Sequence, residues 1–174
     1  MKANQQHNGM RPQDVLVLLK VISLNDPEFR LVDLAQSIGV SLSEVSDSIS
    51  RSVYAHLIAP DKKTPQRKAI LEFLVHGLPY VFPTRPGALA VGMPTAHSAP
   101  PLSAAFGAVD PVVWASVDGE LKGQEIAPFH PKQAYAARQD GNLYELLALT
   151  DALRMGKARE KKMAEEELKK KILS

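Results

Sequence analysis

Residues 31–57, LVDLAQSIGVSLSEVSDSISRSVYAHL, constrain the fold more than any other part of the chain. Leu31, Leu34, Ala35 and Ile38 recur at helical spacing and give a short helix one apolar face. Gly39 follows at once, where a chain leaving a helix needs a left-handed residue. Val40 is the apolar residue expected of a turn that tucks a side chain beneath itself. Ser41 or Ser43 can then cap a second helix by accepting from its free N–H groups. That helix turns Leu42, Val45, Ile49, Val53 and Leu57 inward. Ser43, Ser46, Asp47, Ser50, Arg51 and Tyr54 form its outer face, which is mostly small and hydrogen-bonding. Two helices crossing steeply need a small residue at their contact, and Ala35 sits there.

The stretch resembles the helix-turn-helix of bacterial DNA-binding regulators, residue by residue at Ala35, Gly39, Val40 and Val45. One departure is Ser48, which stands where the next apolar residue belongs, with Ile49 beside it. The bland alternative is an ordinary helical hairpin in a small core, because short motifs of this kind also arise by chance.

The rest of the chain is read around this motif. A length of 174 residues fits one domain, or one small domain with an extension. The chain has no cysteine, which excludes disulfides and thiolate zinc sites. No apolar run approaches the roughly 20 residues that span a membrane. The N-terminal MKANQQHNG lacks the apolar core of a signal peptide, so the expected location is cytoplasmic. A net charge of +2 does not by itself point to nucleic acid. Its distribution is more suggestive: Lys62, Lys63, Arg67 and Lys68 cluster just after the motif, and a second basic group lies near the C-terminus.

Residues 1–11 read as disordered. Pro12 suits the first turn of a helix carrying Val15, Leu16, Leu18, Leu19 and Ile22, the natural first helix of a three-helix core. After the motif, Thr64 and Pro65 predict the start of a helix that buries Ile70, Phe73 and Leu74 and ends at Gly77. Helix N-termini and lysines both suit phosphate oxygens, so Lys62, Lys63, Arg67 and Lys68 form a candidate backbone clamp, or else a solvated face. Residues 78–83 and 88–91 read as the two strands of a hairpin with its turn at 84–87 and Arg85 at the tip. Residues 92–111 read as a long surface connection. A second hairpin is expected from 112–116 and 121–127 about Asp118-Gly119, with Trp114 anchoring it to a core. Residues 132–139 predict a short helix. A firmer helix starts at Asn142, with Glu145 completing a capping box. A mostly exposed helix laced by Glu165–Lys169, Glu166–Lys170 and Glu167–Lys171 closes the chain.

A hairpin close behind a helix-turn-helix is the wing of a winged-helix domain, whose tip arginine enters the minor groove. The block YVFPTRPGALAVGMPTAHSAPPL also resembles a group of bacterial winged-helix regulators. That resemblance covers residues 12–155, implies the same fold, and links the chain to toxin–antitoxin or phage-defence genes. No motif supports catalysis or a cofactor, and His7, His56, His76, His97 and His130 lack metal-ligand spacing.

The expectation is therefore a mainly α fold with small β-hairpins, divided into three parts. Residues 12–92 would be a winged helix-turn-helix domain and 93–111 a Pro/Ala-rich connection. Residues 112–174 would be a hairpin-and-helix extension for dimerisation or a partner. The expected function is a sequence-specific, autoregulatory transcriptional regulator that binds double-stranded DNA as a homodimer. Its expected contacts are Ser41, Ser43, Ser46, Ser50, Arg51 and Tyr54 on the motif, the four-residue basic clamp, and Arg85 on the wing. Glu44 and Asp47 argue against this, since carboxylates repel phosphate. They favour the alternative, a winged-helix interaction module such as an adaptor or antitoxin-like subunit.

Overall fold

A computed structural model describes residues 8–174. The fold is mainly helical, with one small three-stranded sheet. Its centre is α1 (Pro12–Leu24), in which every residue from Asp14 to Ile22 is buried. Pro12 opens α1, as expected, and Asn25 closes it in the left-handed region. Two short helices, α2 (Leu31–Ile38) and α3 (Leu42–Tyr54), pack against it through Leu34, Ala35, Ile38, Val45 and Ile49.

Beyond α3 the chain departs from its expected course. Helix α4 (Arg67–Glu72) begins two residues past Pro65, because Thr64 is tied back to Asp61. Gly77 does not end it. The chain widens into a π turn over Phe73–Gly77 and continues as α5 (Leu78–Val81), where a strand was expected. Ile70, Leu74 and Leu78 are all buried, so one apolar stripe runs through Gly77. Pro79 supplies a physical reason for the wide turn. It has no N–H for the usual i→i−4 bond, and its ring would crowd the preceding turn.

The expected wing at 78–91 is therefore absent as a hairpin. Strand β1 (Leu89–Pro94) pairs instead with β2 (Val112–Ala115) and β3 (Leu121–Glu125), antiparallel to both. The second expected hairpin is corrected as well. Its strands form, but β2 and β3 run parallel to each other, with Val112 opposite Gln124. The three strands close on themselves. Glycine permits this closure: a Cβ on Gly119 would lie 2.3 Å from Gly92 Cα, and one on Gly92 would lie 2.0 Å from the Trp114 carbonyl oxygen.

Residues 92–111 are not a surface connection. Thr95, Ala96, His97, Ala99 and Leu102 are buried, in a short 3₁₀ turn (Ala96–Ser98) and the approach to α6 (Ser103–Phe106). Trp114 anchors the sheet to the core, as expected. Its Nε1 donates to Asp151 Oδ2 at 2.7 Å, and Thr95 Oγ1 donates to the same oxygen at 2.7 Å.

The C-terminal helices are α7 (Gln133–Gln139), α8 (Gly141–Met155) and α9 (Ala158–Leu173). The cap of α8 is Asp140, which accepts from the Leu143 N–H. Glu145 does not complete a capping box; it pairs with Lys171. Helix α9 is mostly exposed, as expected, and lies against α8 and α4 through the buried Ala164, Leu168 and Ile172. The expected i,i+4 pairs do not form; Lys170 pairs instead with Glu167, and Lys171 with Glu145. One buried apolar cluster runs from Val15 to Ile172, across both boundaries expected at 92 and 111. No helix among the described residues is long and apolar enough to cross a membrane.

Candidate nucleic-acid interface

The turn between α2 and α3 forms as its residues dictate. Gly39 takes φ +80°, and its N–H bonds back to Ala35 O. Ser41 caps α3 by accepting from Glu44 N–H at 3.2 Å, while the Glu44 carboxylate accepts from the Ser41 N–H at 3.0 Å and its hydroxyl at 2.8 Å. These bonds, from the Ser41 backbone first and then its hydroxyl, hold Glu44 below its usual carboxylate range. Ser41 is thus occupied as a cap, and Glu44 stays charged at the start of α3.

The outward stripe of α3 is Ser43, Asp47, Ser50 and Tyr54, all exposed, with Ser46 half-buried beside it. Leu42 was expected inside and is half exposed. Ser48 was noted as a departure and lies fully buried, together with Ser52; neither hydroxyl has a hydrogen-bond partner. Small side chains at these positions suit close approach of α1 to α3.

Arg51 is not on the open face. Its Nε and Nη2 donate to the two oxygens of Asp14 on α1, each at 2.8 Å, and the Asp14 side chain is fully buried. It serves the packing of α3 on α1, and no guanidinium is left on the stripe.

The basic cluster divides. Leu57, Ile58, Pro65 and Gln66 form a small antiparallel arm immediately after α3, bridged at Ile58–Pro65 and closed by Gln66 N–H to Leu57 O at 2.9 Å and Ala59 N–H to Thr64 O at 2.8 Å. Lys62 and Lys63 ride its tip, which Asp61 stiffens by accepting from the N–H groups of Lys63 and Thr64. Lys62 is exposed; Lys63 lies 3.6 Å from Glu28 in an open ion pair. Lys68 is exposed on α4. Arg67 is committed elsewhere, donating to the Ile172 carbonyl at 2.8 Å and to Asn25 Oδ1 at 2.6 Å. Arg85 is exposed on the extended stretch leading into β1 beside β3, and does not cap a hairpin.

The fold adds three residues to the motif that sequence reasoning missed. Tyr135 and Lys132, at the start of α7, cover the turn: a Cβ on Gly39 would lie 3.1 Å from Tyr135 Cε1 and 3.7 Å from Lys132 Cδ. The Lys132 ammonium sits 5.9 Å from the Tyr135 ring centroid. His130 shares a small crevice with Val40 and Glu44. No spacing or motif ties residues 130–135 to residues 39–44, so local sequence carries no signal for this neighbourhood. Among the described residues, no group of three or more His, Asp or Glu side chains is placed to hold a metal.

No family model, curated protein sequence or solved structure matches this chain.

Proposed function

We propose that the protein binds double-stranded DNA, as a transcriptional regulator, through α3 and the arm that follows it. The observation that carries this reading is the α2–turn–α3 unit beside a lysine-tipped antiparallel arm. The outward stripe of α3 is free of packing and rich in hydroxyls. In this reading α3 enters the major groove, with Ser43, Ser46, Ser50 and Tyr54 toward bases and phosphates. Lys62 and Lys63 meet the backbone in the place the expected wing would have taken, and Lys132 adds a cation near the start of α3. The Lys63–Glu28 pair is exposed and easily exchanged for a phosphate contact. A homodimer on a near-palindromic site remains part of the proposal.

One observation favours the second reading, a protein-interaction module. Glu44 and Asp47 stand on or beside the stripe without a neutralising arginine, since Arg51 faces Asp14. Leu42 and Tyr54 are exposed there, at 50% and 67%.

Fluorescence anisotropy separates the two. The duplex from immediately upstream of the protein's own gene is titrated beside a scrambled duplex at two salt concentrations. DNA binding should be selective and weaken steeply with salt, and Lys62→Ala with Lys63→Ala should lower the log–log salt slope by about 2. Equal weak binding to both duplexes, or none, would transfer the conclusion to the interaction module.

A further inference from the structure

A cavity of ≈ 510 Å³ opens where the sheet meets the junction of α8 and α9. This is within the size range of small-molecule pockets. Phe106, Val112 and Met155 form its apolar part. Lys157 and Arg159, at the start of α9, bring positive charge. Neither forms an ion pair among the described residues, and the Arg159 guanidinium lies 5.4 Å from the Phe106 ring centroid. Two carboxylates also face the cavity. Glu160 is occupied, accepting from the Lys157 N–H at 2.8 Å, whereas the Asp110 carboxylate accepts no hydrogen bond among the described residues.

His97 also lines the cavity and is buried. Its Nε2 lies 3.0 Å from both the Val109 and Asp110 carbonyl oxygens, so in the neutral ring that nitrogen carries the proton. Nδ1 is then a lone-pair acceptor, and no protein donor reaches it although it is buried. Nδ1 is closed to the cavity as well, so His97 serves the cavity as wall.

We propose that this cavity binds a small amphipathic carboxylic acid that also carries a hydroxyl or amino group. Its apolar body packs on Phe106, Val112 and Met155. Its carboxylate meets Lys157 and Arg159, and its donor meets the Asp110 carboxylate. This inference stands whether or not α3 binds DNA.

The test is calorimetric titration of the full chain with three probes: 3-phenyllactate, its amide, and 3-phenylpropionate. Phenyllactate should bind, and the uncharged amide should bind about tenfold more weakly, as should 3-phenylpropionate, which lacks the hydroxyl. The exposed pair Lys157→Gln with Arg159→Gln should weaken phenyllactate by a similar factor while leaving the circular dichroism spectrum unchanged. Absence of binding by both acids overturns the proposal. So does equal binding of acid and amide in the wild-type protein, a comparison that does not depend on any variant folding. Equal affinity for phenyllactate and phenylpropionate overturns the donor assignment to Asp110.

Discussion

At the scale of single residues, charge pairing decides what a side chain is free to do. Arg51 lies among outward-facing residues by helical spacing, yet its guanidinium is spent on Asp14. Removing one partner of a buried pair leaves the other charge unpaired in a low-dielectric interior. Asp14→Ala should therefore cost about 3–5 kcal/mol, whereas Asp14→Leu with Arg51→Met should recover most of that loss. Urea unfolding of the two variants checks this; equal stability in Asp14→Ala and wild type would show that the pair carries little. Ser41 and Gly39, by contrast, were legible directly. An N-cap serine and a left-handed glycine are set by bonds within a few residues, and those bonds form as expected.

At the scale of elements, the helices followed their periodicity and the strands did not follow their turns. Local signals at 84–87 and 118–119 predicted hairpins, because such dipeptides reverse a chain cheaply. Both β2 and β3 found β1 instead, and the closing step depends on a close backbone approach rather than on a turn. At Gly92 a methyl group would meet the Trp114 carbonyl carbon at 2.6 Å, backbone that cannot swing aside. Gly92→Ala should cost about 3 kcal/mol, the upper end of overpacking penalties. Gly141→Ala is the control: nothing lies within 4 Å of its added methyl at the start of α8, so it should be neutral or stabilise by about 0.5 kcal/mol. Urea midpoints of the two variants decide between crowding and simple loss of glycine. The helix through Gly77 was half legible, since Leu78 continues the spacing of Ile70 and Leu74.

At the scale of the whole molecule, the half that carries α1–α3 and the C-terminal half share one core, and Asp140 is a polar link between them. It caps α8, accepts from Lys20 Nζ at 2.6 Å and accepts from Ser23 Oγ at 2.8 Å, both on α1. Burial alone would push Asp140 up. Hydrogen bonds from Lys20, the Leu143 N–H and Ser23, with the Lys20 charge, outweigh it and hold the carboxyl below its ordinary value. The folded state therefore prefers the ionised form. That stabilisation is present above the unfolded-state pKa and is lost as pH falls through the folded one. Asp140→Asn keeps the size and a capping oxygen but removes the charge. It should flatten the fall in stability below about pH 4, the ordinary range of an aspartate, read from urea midpoints. A wild-type slope in the variant would assign the acid sensitivity to other carboxylates.

What the sequence by itself determined is local: the start of α1 at Pro12, the left-handed turn at Gly39, the cap at Ser41, and the buried stripes on α1 and α8. Each rests on hydrogen bonds or spacing within a turn or two of chain, and such interactions are written in consecutive residues. Tertiary structure alone decided which partner each strand takes, that Thr95, Ala96, His97, Ala99 and Leu102 are interior, and that Lys132 and Tyr135 cover the turn at Gly39. It also decided which basic side chains stay free. Lys62 remains open while Arg51 and Arg67 are consumed by Asp14, Asn25 and the end of α9. These outcomes depend on groups dozens of residues apart meeting in a desolvated contact, where pairing a charge or excluding a Cβ outweighs the small preference of a local turn.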